Sequence, residues 1–292
     1  MVQFQVMLNS AVKLSHTHVP GDSNLPPVLF IHGRGSTKDT WSNVVESGMK
    51  NEAYIIDLRG HGESIYNGVN FDLPAMAKDI AIFLNDNSLD KCIIVAHSMG
   101  SRVATYFCAE YPEYVSGLFI EDMDMKAKPE ISFSENHTKR LSELKRLYRT
   151  EKELIDALIY VGCIDSKIKR IIGSPSKCFQ TKTGSYYLGA SPYVEYLIHK
   201  EIQESNACQD AFCKLGTHEH IPVTLVYADK NSHVSKEGLL NMHALMPRLV
   251  SHQIADSEHS IHKSNLTAFK DCLEDFVQTV SQSFVSKKTH HI

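Results

Sequence analysis

Four strand-like apolar runs, at 28–31, 53–57, 92–96 and 115–121, alternate with helix-forming stretches at 72–87 and 99–110. Strand-then-helix alternation closes only as a parallel sheet covered by helices on both faces. Asp72-Leu73-Pro74 supplies a helix start, with an acceptor side chain and an early proline, and Ala75, Ile80, Ala81 and Leu84 follow as an apolar stripe. The alternation lapses after Asp124 and resumes with strand runs at 222–228 and 249–255 and a closing helix at 266–284. The expected fold is therefore α/β, with a core formed by residues 1–124 and 220–292 and a mainly helical segment, 125–219, inserted between strands as a lid. Within that insertion, Thr150-Glu151-Lys152-Glu153 has capping-box spacing and Ser191-Pro192 opens a further helix. The stretch from Cys178 to Leu188, with its Thr183-Gly184 turn, reads as a hairpin.

Three runs end in small-residue or glycine-punctuated turns, and chemistry collects there. In Ile93-Ile94-Val95-Ala96-His97-Ser98-Met99-Gly100, small residues stand two before and two after a serine at a strand-to-helix junction. That is the pattern of a nucleophile elbow, which holds a serine hydroxyl clear of the sheet at a helix N-terminus. An ordinary strand–helix junction can carry the same letters. Upstream, Phe30-Ile31-His32-Gly33-Arg34-Gly35 reads as a loop passing Gly33 and able to present backbone N–H groups to an oxyanion, and those of Arg34 and Met99 are the expected donors. The third run ends in Asp57-Leu58-Arg59-Gly60-His61-Gly62-Glu63-Ser64. Trp41 is expected to pack beside the oxyanion loop.

His32 to Gly35, Asp57 to Ser64 and Ala96 to Gly100 together, in this order and spacing, resemble three landmarks of the α/β-hydrolase family. The resemblance covers about residues 4–122 and 220–284. Within the family it is nearest to small esterases and acyl-thioesterases of the subgroup typified by abhydrolase domain-containing protein eleven. It implies an α/β-hydrolase fold and a serine hydrolase that works without a cofactor or metal on a small-molecule ester or thioester.

A serine hydroxyl becomes a useful nucleophile once an imidazole takes its proton and a carboxylate orients that imidazole. His259, in Ala255-Asp256-Ser257-Glu258-His259-Ser260-Ile261-His262, stands where the family carries its base, with His262 as runner-up. The acid departs from the commonest pattern. Many members place it after the strand at 222–228, but here Ala228-Asp229-Lys230-Asn231 has asparagine at that step. Asp229 could serve after a shift of the loop. Asp122, one of several carboxylates in Glu121-Asp122-Met123-Asp124, is preferred because it lies at the subgroup's spacing from Ser98. Cleavage of a C–C bond next to a ketone and perhydrolysis remain open on the same residues. A hydrolase-fold protein that binds a ligand with weak or no catalysis is the rival from another class, and Asn231 is its best support.

Composition narrows the rest. With 292 residues, 42% hydrophobic and 22% charged, the chain can bury a large core, and its net charge of −4 gives no field for nucleic acid. No apolar run is long enough for an integral membrane segment, the N-terminus Met1 to Val6 does not read as a signal peptide, and seven cysteines without paired Cys-x-x-Cys spacing suggest a cytoplasmic protein. Sixteen histidines include the pairs His16/His18, His218/His220 and His290/His291, which lack a third ligand at metal-binding spacing. Charge is uneven: residues 126–182 carry a net +6 against −10 elsewhere. Lys139, Arg140, Lys145, Arg146 and Arg149 fit a solvated helix face, or alternatively a guide for an anionic substrate. The residues set no oligomeric state.

Overall fold

A computed structural model describes residues 12–66, 68–129, 133–174 and 177–289. The N-terminal hexapeptide and the His290/His291 pair lie outside them. In chain order the elements are β1 (His16–Val19), β2 (Val28–Ile31), α1 (Ser42–Glu46), β3 (Ala53–Ile56), α2 (Leu73–Asp86), β4 (Cys92–His97), α3 (Met99–Glu110) and β5 (Val115–Glu121). The inserted segment follows with α4 (Glu135–Ser142), β6 (Leu147–Tyr148), α5 (Glu151–Tyr160), α6 (Asp165–Ile172), β7 (Cys178–Gln180), β8 (Tyr186–Leu188), α7 (Pro192–Ile198) and α8 (Ala207–Gly216). The chain then returns to the sheet through β9 (Val223–Ala228), α9 (Lys236–Leu245), β10 (Val250–Ile254), α10 (Ile261–Ser264) and α11 (Leu266–Thr289).

The main sheet has seven strands in the order β1-β3-β2-β4-β5-β9-β10. All neighbours are parallel except β1, which runs antiparallel to β3. Both faces are covered, and side chains divide between them with period two, as they must on a pleated strand. Leu29, Ile31, Ile94, Ala96, Leu118 and Ile120 pack under α2, α3, α8 and α9. Val28, Phe30, Ile93, Val95 and Phe119 pack against Trp41, α1 and α11. The expected helix start at Asp72 is present as an N-cap accepting a hydrogen bond from the amide of Ala75.

The inserted segment has its own small apolar cluster, including Tyr148, Leu154, Leu158 and Leu188. Thr150 and Ser191 cap their helices, accepting bonds from the amides of Glu153 and Val194, and β7 and β8 form the expected hairpin. Helix α8 is different. Its Cys208, Phe212 and Leu215 join the main core beside α3, so this end of the insertion is anchored on the sheet. Edge strand β1 was not anticipated. It is four residues long and mostly exposed, with His16 against Phe83 and His18 stacked on Tyr54.

The strand order reverses its direction of growth between β2 and β4, and the crevice at that switch point is the favoured ligand position in an open parallel sheet. It depends on a close approach. A Cβ on Gly100 would sit 2.4 Å from the carbonyl oxygen of His32 and 3.0 Å from Ile31. Gly100→Ala is expected to push α3 away from β2 and cost about 1–3 kcal/mol, as overpacking of a core does, read as a lower urea midpoint at unchanged m-value.

Candidate active site

Ser98 stands between β4 and α3 with φ 54° and ψ −125°, a left-handed, strained conformation for a residue with a side chain. The neighbours over-determine it. Its amide donates to the carbonyl of Glu121 (2.9 Å), and its own carbonyl receives the amide of Ser101 (2.9 Å). Ser101 Oγ closes the turn by donating to Ala96 O (2.7 Å). The hydroxyl of Ser98 reaches His259 Nε2 at 2.9 Å, and His259 Nδ1 reaches Asp122 Oδ2 at 2.7 Å.

The three carboxylates after β5 have separate partners. Glu121, fully buried, accepts from the backbone N–H of His262 and from its Nδ1 (2.8 and 2.9 Å), while His262 Nε2 meets Thr40 Oγ1 (2.9 Å). His262 is thereby taken out of the contest with His259. Asp124 is engaged by Ser235, Lys128 and Arg102. Asp122 receives Ser232 Oγ (2.5 Å), the amide of Ala228 (2.9 Å) and the amide of His233 (2.9 Å) besides His259. Burial pushes its carboxyl up, but these hydrogen bonds outweigh burial and hold it below its ordinary value.

Asp229 corrects one sequence expectation. Its carboxylate accepts the amides of Asp256 and Ser257 (both 2.9 Å), so it fastens the turn before His259 instead of touching the imidazole. Asn231, with φ 51°, turns the loop so that Ser232 and His233 face Asp122. The loop after β9 thus acts as a cradle for the carboxylate that β5 supplies.

The loop after β2, expected from sequence to face an oxyanion, is held from two sides. A Cβ on Gly33 would lie 3.1 Å from Ser98 Cβ and 2.9 Å from His97 Nδ1, so the loop at this distance from the serine leaves no room for a side chain at Gly33. His32 Nδ1–H donates to Gly33 O (2.8 Å) and its Nε2 accepts from the amide of Leu58 (3.0 Å). His61 Nδ1–H donates to Arg59 O (3.0 Å) and its Nε2 accepts the amide of Gly35 (3.2 Å). Burial lowers the pKa of both imidazoles and favours the neutral form that each pair of bonds requires. Asp57, fully buried, accepts the amides of Lys38 and Glu63 and the ammonium of Lys38. Arg59 grips Asp79 through two nitrogens at 2.6 and 2.8 Å. Residues 57–64 therefore buttress the oxyanion loop, a role their glycine spacing did not disclose. Met99 begins α3, where an unpaired helix N–H is expected. Trp41 packs against His262 and Phe30, with ring centroids 4.5 and 5.2 Å apart.

Two imidazoles beside His259 went unnoticed in the sequence. His97 Nε2–H donates to His259 O (3.1 Å), and the ring of His233 stacks on that of His259 at 3.6 Å. Each carried a readable signal: His97 precedes the elbow serine, and His233 follows Asn231 by two. His97, Glu121 and His262 are also grouped closely enough to suggest a metal centre. The short bonds of His262 to Glu121 and Thr40 already use that carboxylate and both ring nitrogens.

A family model described as alpha/beta hydrolase fold matches residues 26–266. The sn-1-specific diacylglycerol lipase ABHD11 of Mus musculus is 27% identical over 113 residues, 38% of this chain and 36% of that protein. An abhydrolase domain-containing protein of Schizosaccharomyces pombe is 34% identical over 100 residues, 33% of this chain and 37% of that protein. The matches thus span little more than a third of either relative. In structure the chain is similar to a marine microorganism esterase, with a TM-score of 0.69 at 19% identity, covering 91% of this chain and 100% of that one. Among the described residues no helix is long and apolar enough to cross a membrane.

Two expectations follow. Asp122→Asn should lower kcat by about 10⁴-fold, the loss typical of removing a triad carboxylate's charge, whereas Asp229→Asn should cost less than about tenfold; steady-state kinetics on one activated ester compares them. Because the folded carboxyl of Asp122 titrates below its unfolded value near 4, its stabilisation is complete above that pH and is lost as pH falls through the folded pKa. The gap in melting temperature between the native protein and Asp122→Asn should be constant above about pH 5 and close progressively below about pH 4.

Proposed function

The chain belongs to the α/β-hydrolase fold family, and from that premise we propose that it is a serine hydrolase cleaving a carboxylic ester or thioester through an acyl-serine intermediate. The observation that carries this reading is the unbroken relay Ser98–His259–Asp122, with bonds of 2.9 and 2.7 Å. Ser98 Oγ attacks the carbonyl carbon while its proton passes to His259 Nε2. The amides of Arg34 and Met99, with Gly33 keeping the loop close, receive the oxygen as it becomes an anion. Asp122 holds the Nδ1–H tautomer and stabilises the imidazolium, which gives its proton to the departing alcohol or thiol. Water, activated by the same imidazole, then attacks the acyl-serine and restores the hydroxyl. No step requires a cofactor or a metal.

Residues 125–219 are proposed as the lid over this crevice, anchored at one end by α8. Esters and thioesters share this chemistry, so the lid and the loop after Arg34 set which is taken. The rival reading, a ligand-binding protein, leaned on Asn231. That support weakens because Ser232 and His233 of the same loop donate to Asp122. The seven cysteines are free thiols, in keeping with a cytoplasmic protein.

A fluorophosphonate probe should label the native protein and leave Ser98→Ala unlabelled. On a chain-length series of p-nitrophenyl esters, run beside acyl-CoA thioesters, Ser98→Ala should lose kcat by on the order of 10⁶-fold. A folded native protein that takes no label and turns over neither series would overturn the reading in favour of ligand binding.

A further inference from the structure

We propose that the Arg34 side chain is a specificity-determining residue which receives a carboxylate carried by the ester substrate near its reacting carbonyl. The inference deepens the hydrolase reading and rests on it. Its starting point is where the positive charge of the insertion goes. Lys139, Arg140, Lys145 and Arg149 are exposed on the outside of the segment. Arg146 is occupied by the carbonyls of Gly62, Leu188 and Gly189 and by the face of Tyr187. Four of these five insertion cations are therefore exposed and the fifth is held by carbonyls, as a solvated face requires, while the charges of Arg146 and Lys128 still reach His61 and His233.

Arg34 is a cation carried by the loop that runs beside the serine. It follows Gly33, where a Cβ would lie 3.1 Å from Ser98 Cβ, and it is half-buried. Its guanidinium donates from Nη1 to His199 Nδ1 (3.0 Å). His199 in turn bonds Pro129 O through Nε2 (3.2 Å). One imidazole can accept on Nδ1 and donate from Nε2 only when neutral, and burial, assisted by the charge of Arg34, lowers the pKa of His199 toward that state. Lys38, Arg59, Arg102 and Lys128 in the surrounding loops each face a carboxylate. Among the described residues Arg34 has no carboxylate within ion-pair distance. Glu195, whose Oε1 lies against Gly35, falls outside it.

A guanidinium offers five N–H donors in a planar fork, and a neutral ring occupies one of them. The remaining donors are partly withdrawn from water and, among the described residues, no carboxylate lies within ion-pair distance of them, an arrangement that favours a bidentate carboxylate on an incoming molecule. The field of Arg34 also reaches His61 and His233, and the latter ring stacks on His259, so the charge stands within the crevice walls. A single uncompensated positive charge suits a carboxylate. A phosphate monoester carries nearly two negative charges and would call for a second free cation, but nearby Lys128 is already paired with Asp124 at 2.6 Å.

Matched ester pairs test this on the full chain. On the acyl side, mono-p-nitrophenyl glutarate is compared with p-nitrophenyl valerate. On the alcohol side, the butyrate of 4-hydroxybenzoate is compared with phenyl butyrate. In one pair the charged member should have the higher kcat/KM, and Arg34→Met should lower the charged-to-neutral ratio by about 10- to 100-fold, chiefly through KM, with Arg34→Lys recovering part. The pair that responds identifies which side of the ester carries the carboxylate. Should Arg34→Met fail to fold, Arg34→Gln provides the same ratio. Neutral members preferred in both pairs, or a variant that slows both members alike, would overturn the assignment while leaving the hydrolase reading intact. Failure of all four esters together with no fluorophosphonate label would overturn both.

Discussion

A carboxylate with no exposure to solvent must find its hydrogen bonds inside the protein, and the way Asp122 does so organises the whole candidate site. Its oxygens collect donors from β9, from the loop after β9 and from His259. Three separate stretches of chain are brought to one point by a charge that sheds its desolvation cost only when they meet. The loop after β9 thus holds a carboxylate from the end of β5, through Ser232 and the His233 amide. Asp229, in the same loop, binds the turn leading to His259.

The loop after β2 follows the same logic with neutral groups. His32 and His61 are buried, each with one nitrogen donating and the other accepting, and together they join the loop after β2 to the loop after β3. Asp57 and Lys38 close the brace underneath. Preorganisation of this kind matters because amide donors aimed at a developing oxyanion act without reorganising at the moment of reaction. The strained φ of Ser98 and the missing side chain of Gly33 belong to the same requirement. Both permit an approach that a relaxed backbone or a Cβ would prevent.

Much of the framework could be read from the letters. Strands at 28–31, 92–97 and 115–121 and the helix at 99–110 announce themselves by apolar runs and by the resumption of helix-forming residues. Edge strand β1 escaped notice because His16, Thr17 and His18 are exposed polar residues with no apolar alternation. Ser98 was legible from its small neighbours. Glu121, Asp122 and Asp124 were not separable, since three carboxylates within four residues differ only in the direction each side chain takes, and that direction depends on the loops opposite. The brace formed by residues 57–64 was likewise hidden: its glycines mark a turn, but nothing local says which loop the turn supports.

The sequence by itself determined a parallel α/β sheet, its switch point and the residue types that collect there, because pleat, helix period and turn chemistry are local properties of the chain. Only the tertiary structure decided which carboxylate meets His259 and why His262 does not compete with it. Those outcomes turn on partners 137 and 141 residues distant, and desolvation and hydrogen-bond direction select among them only once the strands are in register.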